Sequence, residues 1–222
     1  MTNITSGRSS RIPDAKKLQE DPGYRQIMEL DFNEMIPFVL SNIKRRSVIS
    51  FLYAGVTLGT LLFVLLYMIL GLIESQLTWL GIIKQSLIGI FAGSFLVIPL
   101  HELLHGLAFR IIGARKIKFG ADLQQFIFFV TADRYPVSGK ELYFLAMTPF
   151  LVINTATVAI IAIWFPQVIL FPAFLLFSHN IMCVGDFALV NFVHQQRNKV
   201  YTFDETDHRK SYFYEEVVAT PE

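Results

Sequence analysis

The stretch QSLIGIFAGSFLVIPLHELLHGLAFRIIG, Gln85–Gly113, decides how the chain is read. Its only formal charges are Glu102 and Arg110, and Arg110 lies near its end, so Glu102 is the one charge held deep in an apolar run. About 20 apolar residues cross a bilayer core, and this block is long enough. The flanking sequence has the same character. Ser47 to Ile73 contains no Asp, Glu, Lys or Arg, and neither does the long run between Glu141 and Asp186, which has room for nearly two spans.

Lipid leaves the backbone no water to bond, so such runs become helices packed on one another. The expected fold is an all-α integral membrane protein, a four-transmembrane-helix bundle with spans at about 47–73, 86–112, 142–165 and 168–193. Phe165-Pro166-Gln167 is the expected break between the last two. Residues 1–46 are expected to form an N-terminal segment, 47–193 the membrane domain and 194–222 a C-terminal tail.

The whole chain agrees with this division. It has 222 residues, 53% hydrophobic and 17% charged, with a mean hydropathy of +0.48, and a typical soluble domain carries roughly 25% charged residues. A formal net charge of +1 offers no basic stripe, so no nucleic-acid partner is expected. The single cysteine, Cys183, leaves no intrachain disulfide. The first forty residues are polar and charged, unlike a cleavable signal sequence.

Lys44, Arg45 and Arg46 abut the first span, whereas the connection from Glu74 to Lys84 is poor in positive charge. The positive-inside rule therefore predicts both termini in the cytosol. Arg115, Lys116, Lys118, Arg134 and Lys140 after the second span, and Arg197 and Lys199 after the fourth, agree. Leu30 to Leu40 reads as a packed lead-in, with a helix on the membrane surface as the alternative. Ile117–Phe119 and Phe126–Thr131, around Gly120 and Asp122, read as a small cytosolic β-hairpin between helices 2 and 3. The tail from Gln195 has no clear period and is expected to be partly ordered at best.

His101-Glu102-Leu103-Leu104-His105 has the H-E-x-x-H spacing. Residues four apart share a helix face, so two imidazoles can reach one Zn2+ ion while the Glu between them stands beside a metal-bound water as general base. Zinc lowers the pKa of that water toward about 7, and a peptide carbonyl is the expected electrophile. The competing reading is a hydrogen-bonded polar cluster. Three ionisable groups within five residues are costly inside a membrane, which favours a functional site.

A catalytic zinc keeps three protein ligands and an open position. Asp186, the only acid of the fourth span, is the expected third ligand. His105 and Asp186 both lie about seven residues inside the same end of their spans, roughly 10 Å at 1.5 Å per residue. His179, seven residues from Asp186, is the rival ligand or a group behind the ligands. Asn180 is a candidate for binding substrate or a developing oxyanion, or else an interhelical bond. Gly89 and Gly93 read as packing positions, as does Cys183.

These residues resemble those of intramembrane zinc metalloproteases of the site-2 protease class. More closely, H-E-L-L-H-G at 101–106, K-F-G at 118–120, T-P at 148–149 and G-D at 185–186 resemble a bacterial family of uncharacterised membrane zincin peptidases. The resemblance covers about 95–195 and implies His101, His105 and Asp186 as ligands, Glu102 as acid/base, and a multi-pass protein of the bacterial cytoplasmic membrane. It also implies that the hairpin guides an extended substrate strand. Site-2 proteases usually follow the Asp with Gly, whereas Phe187 stands here, and no inserted PDZ-like domain is present.

The expected function is a membrane-embedded zinc metallopeptidase acting on membrane or membrane-associated proteins near the cytosolic face, with the lipid bilayer as its surroundings. A catalytically silent metal-binding adaptor is the alternative. A di-iron oxidoreductase would need more His or Glu ligands than the chain supplies.

Overall fold

A computed structural model describes residues 12–123, 127–164 and 169–217. The N-terminal part is ordered by caps. Asp14 accepts from the amide of Lys17 at the start of α1 (Ala15–Glu20), strand β1 follows at Tyr24–Asp31, and Asp31 caps a 3-10 turn at Phe32–Glu34. Helix α2 (Met35–Ile43) comes next. Leu30 and Phe38 are buried with Phe192, Val193 and Phe213, so the lead-in is packed as expected, while Ile36 and Leu40 stay exposed.

Ser47 opens α3 (Val48–Ile73) with a capping box: its hydroxyl accepts from Ile49 and Ser50, and Ser50 accepts from Ser47. Leu58, Leu62, Leu66 and Leu70 recur every four residues along α3 and are half or more exposed, an apolar stripe suited to lipid.

The second run starts earlier than expected. Thr78 accepts from Gly81 and opens α4 (Trp79–Phe91), which continues through a π segment at Ala92–Leu96 into α5 (Val97–Ile111). The continuous stretch Trp79–Ile111 has 33 residues. Lys84 therefore sits in the helix rather than in the connection, which shortens to 74–78. The Gly89 and Gly93 reading holds: a Cβ at Gly89 would lie 2.6 Å from the Phe171 carbonyl, and one at Gly93 2.0 Å from Ser178 Oγ. Backbones approach there because no side chain intervenes.

Strands β2 (Ile117–Asp122) and β3 (Ile127–Ala132) pair antiparallel from Ile117↔Ala132 to Asp122↔Ile127, and the ends of their connection lead through residues outside those described. Phe119 lies over Gly106, where a Cβ would meet its ring at 2.8 Å. After β4 (Val137–Ser138), α6 runs Gly139–Trp164 with Pro149 inside it. The expected break at Phe165-Pro166-Gln167 lies outside the described residues.

The last span is not one straight helix. Helices α7 (Leu170–Met182) and α8 (Val184–His194) meet at Cys183 with a 44° bend. Among the described residues, three helices are long and apolar enough to cross a membrane, or four if the bent pair is one span.

The all-α expectation is too narrow. The chain is mostly helical, but β5 (Val200–Glu205) and β6 (Lys210–Glu216), separated by a 3-10 turn at Thr206–His208, form a hairpin in the tail expected to be poorly ordered. A four-stranded antiparallel sheet with order β1-β6-β5-β4 joins both ends of the chain. Apolar residues hold it: Phe213 packs under Leu30 and Phe192, and Phe203 beside Leu18. Burying side chains of that size is worth about 1.5–3 kcal/mol each, which offsets the entropy of ordering the tail.

Candidate metal centre

His101 and His105 stand one turn apart on α5, and Asp186 lies in the first turn of α8, just after the bend. Asp186 Oδ2 is 3.2 Å from His101 Nε2, its Oδ1 is 3.3 Å from His105 Nε2, and the two Nε2 atoms are 3.1 Å apart. The equal depths counted for His105 and Asp186 therefore correspond to contact.

This set fits zinc on its own geometry. Two donors about 2.0–2.1 Å from one ion at a tetrahedral angle stand about 3.3–3.4 Å apart, close to the three separations here. Asp186 Oδ2 is buried and has no hydrogen-bond partner despite its close imidazole, an orphaned acceptor of the kind a shared cation satisfies. One carboxylate and two imidazoles suit zinc.

The outer nitrogens are held as well. His105 Nδ1 donates to the Leu145 carbonyl on α6 at 3.0 Å, and since a carbonyl only accepts, this bond leaves Nε2 as the lone-pair nitrogen. His101 Nδ1 lies 3.1 Å from His179 Nε2. His179 is buried on α7 and meets His101 on the nitrogen opposite the one facing Asp186, so it stands behind that imidazole. Its own neighbour is Cys183 Sγ, at 3.6 Å from Nε2. His101, His179 and Cys183 form a second group with metal-ligand atoms, sharing His101 with the first.

Glu102 is set between the histidines in sequence and reaches the same cavity, with Oε2 buried and without a hydrogen-bond partner. Asn180 goes elsewhere. Its Nδ2 donates to Thr60 Oγ1 on α3 at 3.1 Å, the interhelical bond of the second reading, and Asn180 is not among the described residues that line the cavity.

The cavity beside the centre has a volume of about 470 Å³. It is lined by His101, Glu102, His105 and Asp186, by Met35 and Val39 from α2, by Phe129 from β3, and by Thr202, Asp204 and Ser211 from the sheet. The α2 and sheet contributions went unforeseen. The apolar period of Leu30–Leu40 carried a signal for α2, whereas the tail's Thr202 and Asp204 acquire a common direction only once β5 is known to be a strand.

No curated protein and no solved structure matches the chain. Residues 94–201, which carry both histidines of the motif, Glu102, His179 and Asp186, match the model of the family described as "Putative zincin peptidase".

Proposed function

We propose that the chain is a membrane-embedded zinc metallopeptidase that hydrolyses peptide bonds of membrane or membrane-associated proteins near the cytosolic face. The family match supports a metallopeptidase. The observation that carries the finer reading is the convergence of three donors at 3.1–3.3 Å in a cavity that Glu102, its Oε2 buried and without a hydrogen-bond partner, also lines.

His101 and His105, through Nε2, and the Asp186 carboxylate would hold zinc. Bound there, the ion supplies Lewis acidity that polarises a carbonyl and makes water more acidic. Glu102 takes a proton from the water that attacks the scissile carbonyl carbon. It returns that proton to the amide nitrogen as the C–N bond breaks, so one water and one peptide bond become a carboxyl and an amine. The Leu145 carbonyl and His179 keep the imidazoles aimed, which spares reorganisation during the reaction. Surrounding helices keep the reacting groups away from bulk solvent.

Both termini are cytosolic in this reading, because Lys44, Arg45 and Arg46 precede α3 and Arg197 and Lys199 follow α8. The deciding experiment purifies the full chain and its Glu102→Gln variant and measures zinc content together with cleavage of a membrane-anchored reporter. One zinc per chain in both proteins, with cleavage only by the unaltered one, is the expected result. Equal cleavage by both would end the reading.

A further inference from the structure

Asp204 lines the same cavity as the histidines and stands among groups that do not neutralise it. On β5 it shares a strand face with Thr202, two residues earlier, and in the β5–β6 register it lies opposite Ser211. Ser211 Oγ donates to Asp204 Oδ1 at 2.6 Å. That is one neutral bond for a carboxylate with two oxygens.

The neighbouring cations are committed elsewhere. Arg134 pairs with Glu205 at 3.0 Å, Arg209 with Asp122 at 2.6 Å and Lys210 with Glu29 at 2.5 Å, and among the described residues no Lys or Arg side chain pairs with Asp204. Among the described residues, the charged group that acts on it is Asp133, of the same sign. Burial foremost, and Asp133 with it, raises its pKa to about 6 against the hydroxyl of Ser211. Among the described residues that line the cavity, Asp204 is the only Asp, Glu, His, Lys or Arg apart from the metal-centre residues and His179.

An uncompensated carboxylate in an apolar cavity is costly unless something of opposite charge arrives. We propose that Asp204, set by Ser211 and flanked by Thr202, is a substrate subsite for a lysine or arginine side chain. The inference rests on the peptidase reading and names a feature of its substrate. A long basic side chain matches the site in both of its parts. Its methylenes lie against Met35, Val39 and Phe129, and its charged head meets the carboxylate. The same cavity reaches Glu102 and the histidines, so one peptide can meet both these groups and Asp204.

The test uses the full chain carrying Glu102→Gln, to prevent turnover, and acetylated, fluorescently labelled alanine–leucine peptides in which one lysine is moved position by position. The same set with norleucine, or with acetyl-lysine, supplies the uncharged controls. At one or two adjacent positions lysine should bind about tenfold or more tightly than norleucine. Adding Asp204→Asn, which keeps an acceptor for Ser211, should erase that advantage and leave norleucine binding unchanged. Equal binding of the lysine, acetyl-lysine and norleucine sets to the protein with Asp204 intact overturns the proposal without reliance on any change at that site. A gain produced instead by a free amino terminus on the norleucine peptide overturns the side-chain assignment. Cleavage of the same peptides separates the two readings. Glu102-dependent cleavage indifferent to lysine removes the subsite and keeps the peptidase, whereas lysine binding that needs Asp204 without any cleavage removes the peptidase and keeps the subsite.

Discussion

Two carboxylates bound the same cavity in opposite circumstances. Asp186, within the helices, faces two imidazoles at 3.2 and 3.3 Å, while Asp204, in the sheet, has a serine hydroxyl and no cation among the described residues. Asp186 belongs to a group assembled around a common point, and its surroundings look inward. Asp204 is buried and lines the cavity, with the Ser211 hydroxyl as its hydrogen-bond donor. The difference teaches where each carboxylate finds its charge balance: Asp186 from the imidazoles that face it and, in the proposed function, from a shared cation, Asp204, in the proposed subsite, from a basic group that enters the cavity.

The comparison breaks most visibly at Glu102. Exchange to Gln should lower cleavage about 10²- to 10⁴-fold at unchanged zinc content, measured by turnover of a reporter and metal analysis on one preparation. Loss of zinc in this variant would instead make Glu102 part of the metal-holding group.

Asp186→Ala removes the donor that crosses between α8 and α5, and zinc affinity measured by chelator competition should fall about a hundredfold or more. Unaltered affinity would transfer the third ligand to another residue, with His179 the nearest.

His179 should matter less, because it touches a ligand rather than occupying a ligand position toward Asp186. His179→Leu is expected to weaken zinc binding about 10- to 100-fold, and His179→Gln, whose amide oxygen can accept from His101 Nδ1, should recover part of the loss. Equal losses in both would point to packing on α7 rather than to the hydrogen bond.

The smallest effect sharpens the other side of the comparison. Burial raises the Asp204 pKa from 3.8 to about 6, Ser211 on β6 opposes that shift, and Asp133 beyond β3 adds to it. The folded state then holds the proton more tightly than the unfolded chain, so the contribution of Asp204 to stability is greatest below about pH 4 and is lost as pH rises through about 6. Asp204→Asn cannot lose that proton. The difference in thermal stability should therefore shift in favour of the variant between about pH 4 and 6, by at most about 2–3 kcal/mol. A pH-independent difference would mean that Asp204 is already neutralised in the fold.

Much of the centre was legible before any folding was considered. His101 and His105 share a helix face through spacing alone, and Asp186 was singled out because an acid is rare in such an apolar run. The helix ends were softer. Thr78 begins its helix well ahead of the expected start because a cap needs only one hydroxyl and no hydrophobic signal. The bend at Cys183 and the sheet were not legible. Val200–Glu205 mixes apolar and polar residues without alternation, and its partners β4, β6 and, through β6, β1 come from distant parts of the chain.

Local order along the chain was enough to establish the apolar helices and the paired imidazoles, since a backbone in lipid must bond to itself and an α-helix repeats every 3.6 residues. The contact of Asp186 with both histidines, the placement of His179 behind one of them and the arrival of Asp204 at the same cavity depended on packing. Those groups come from segments far apart in sequence, and no local periodicity encodes the angle at which two helices meet or the register in which the ends of a chain pair.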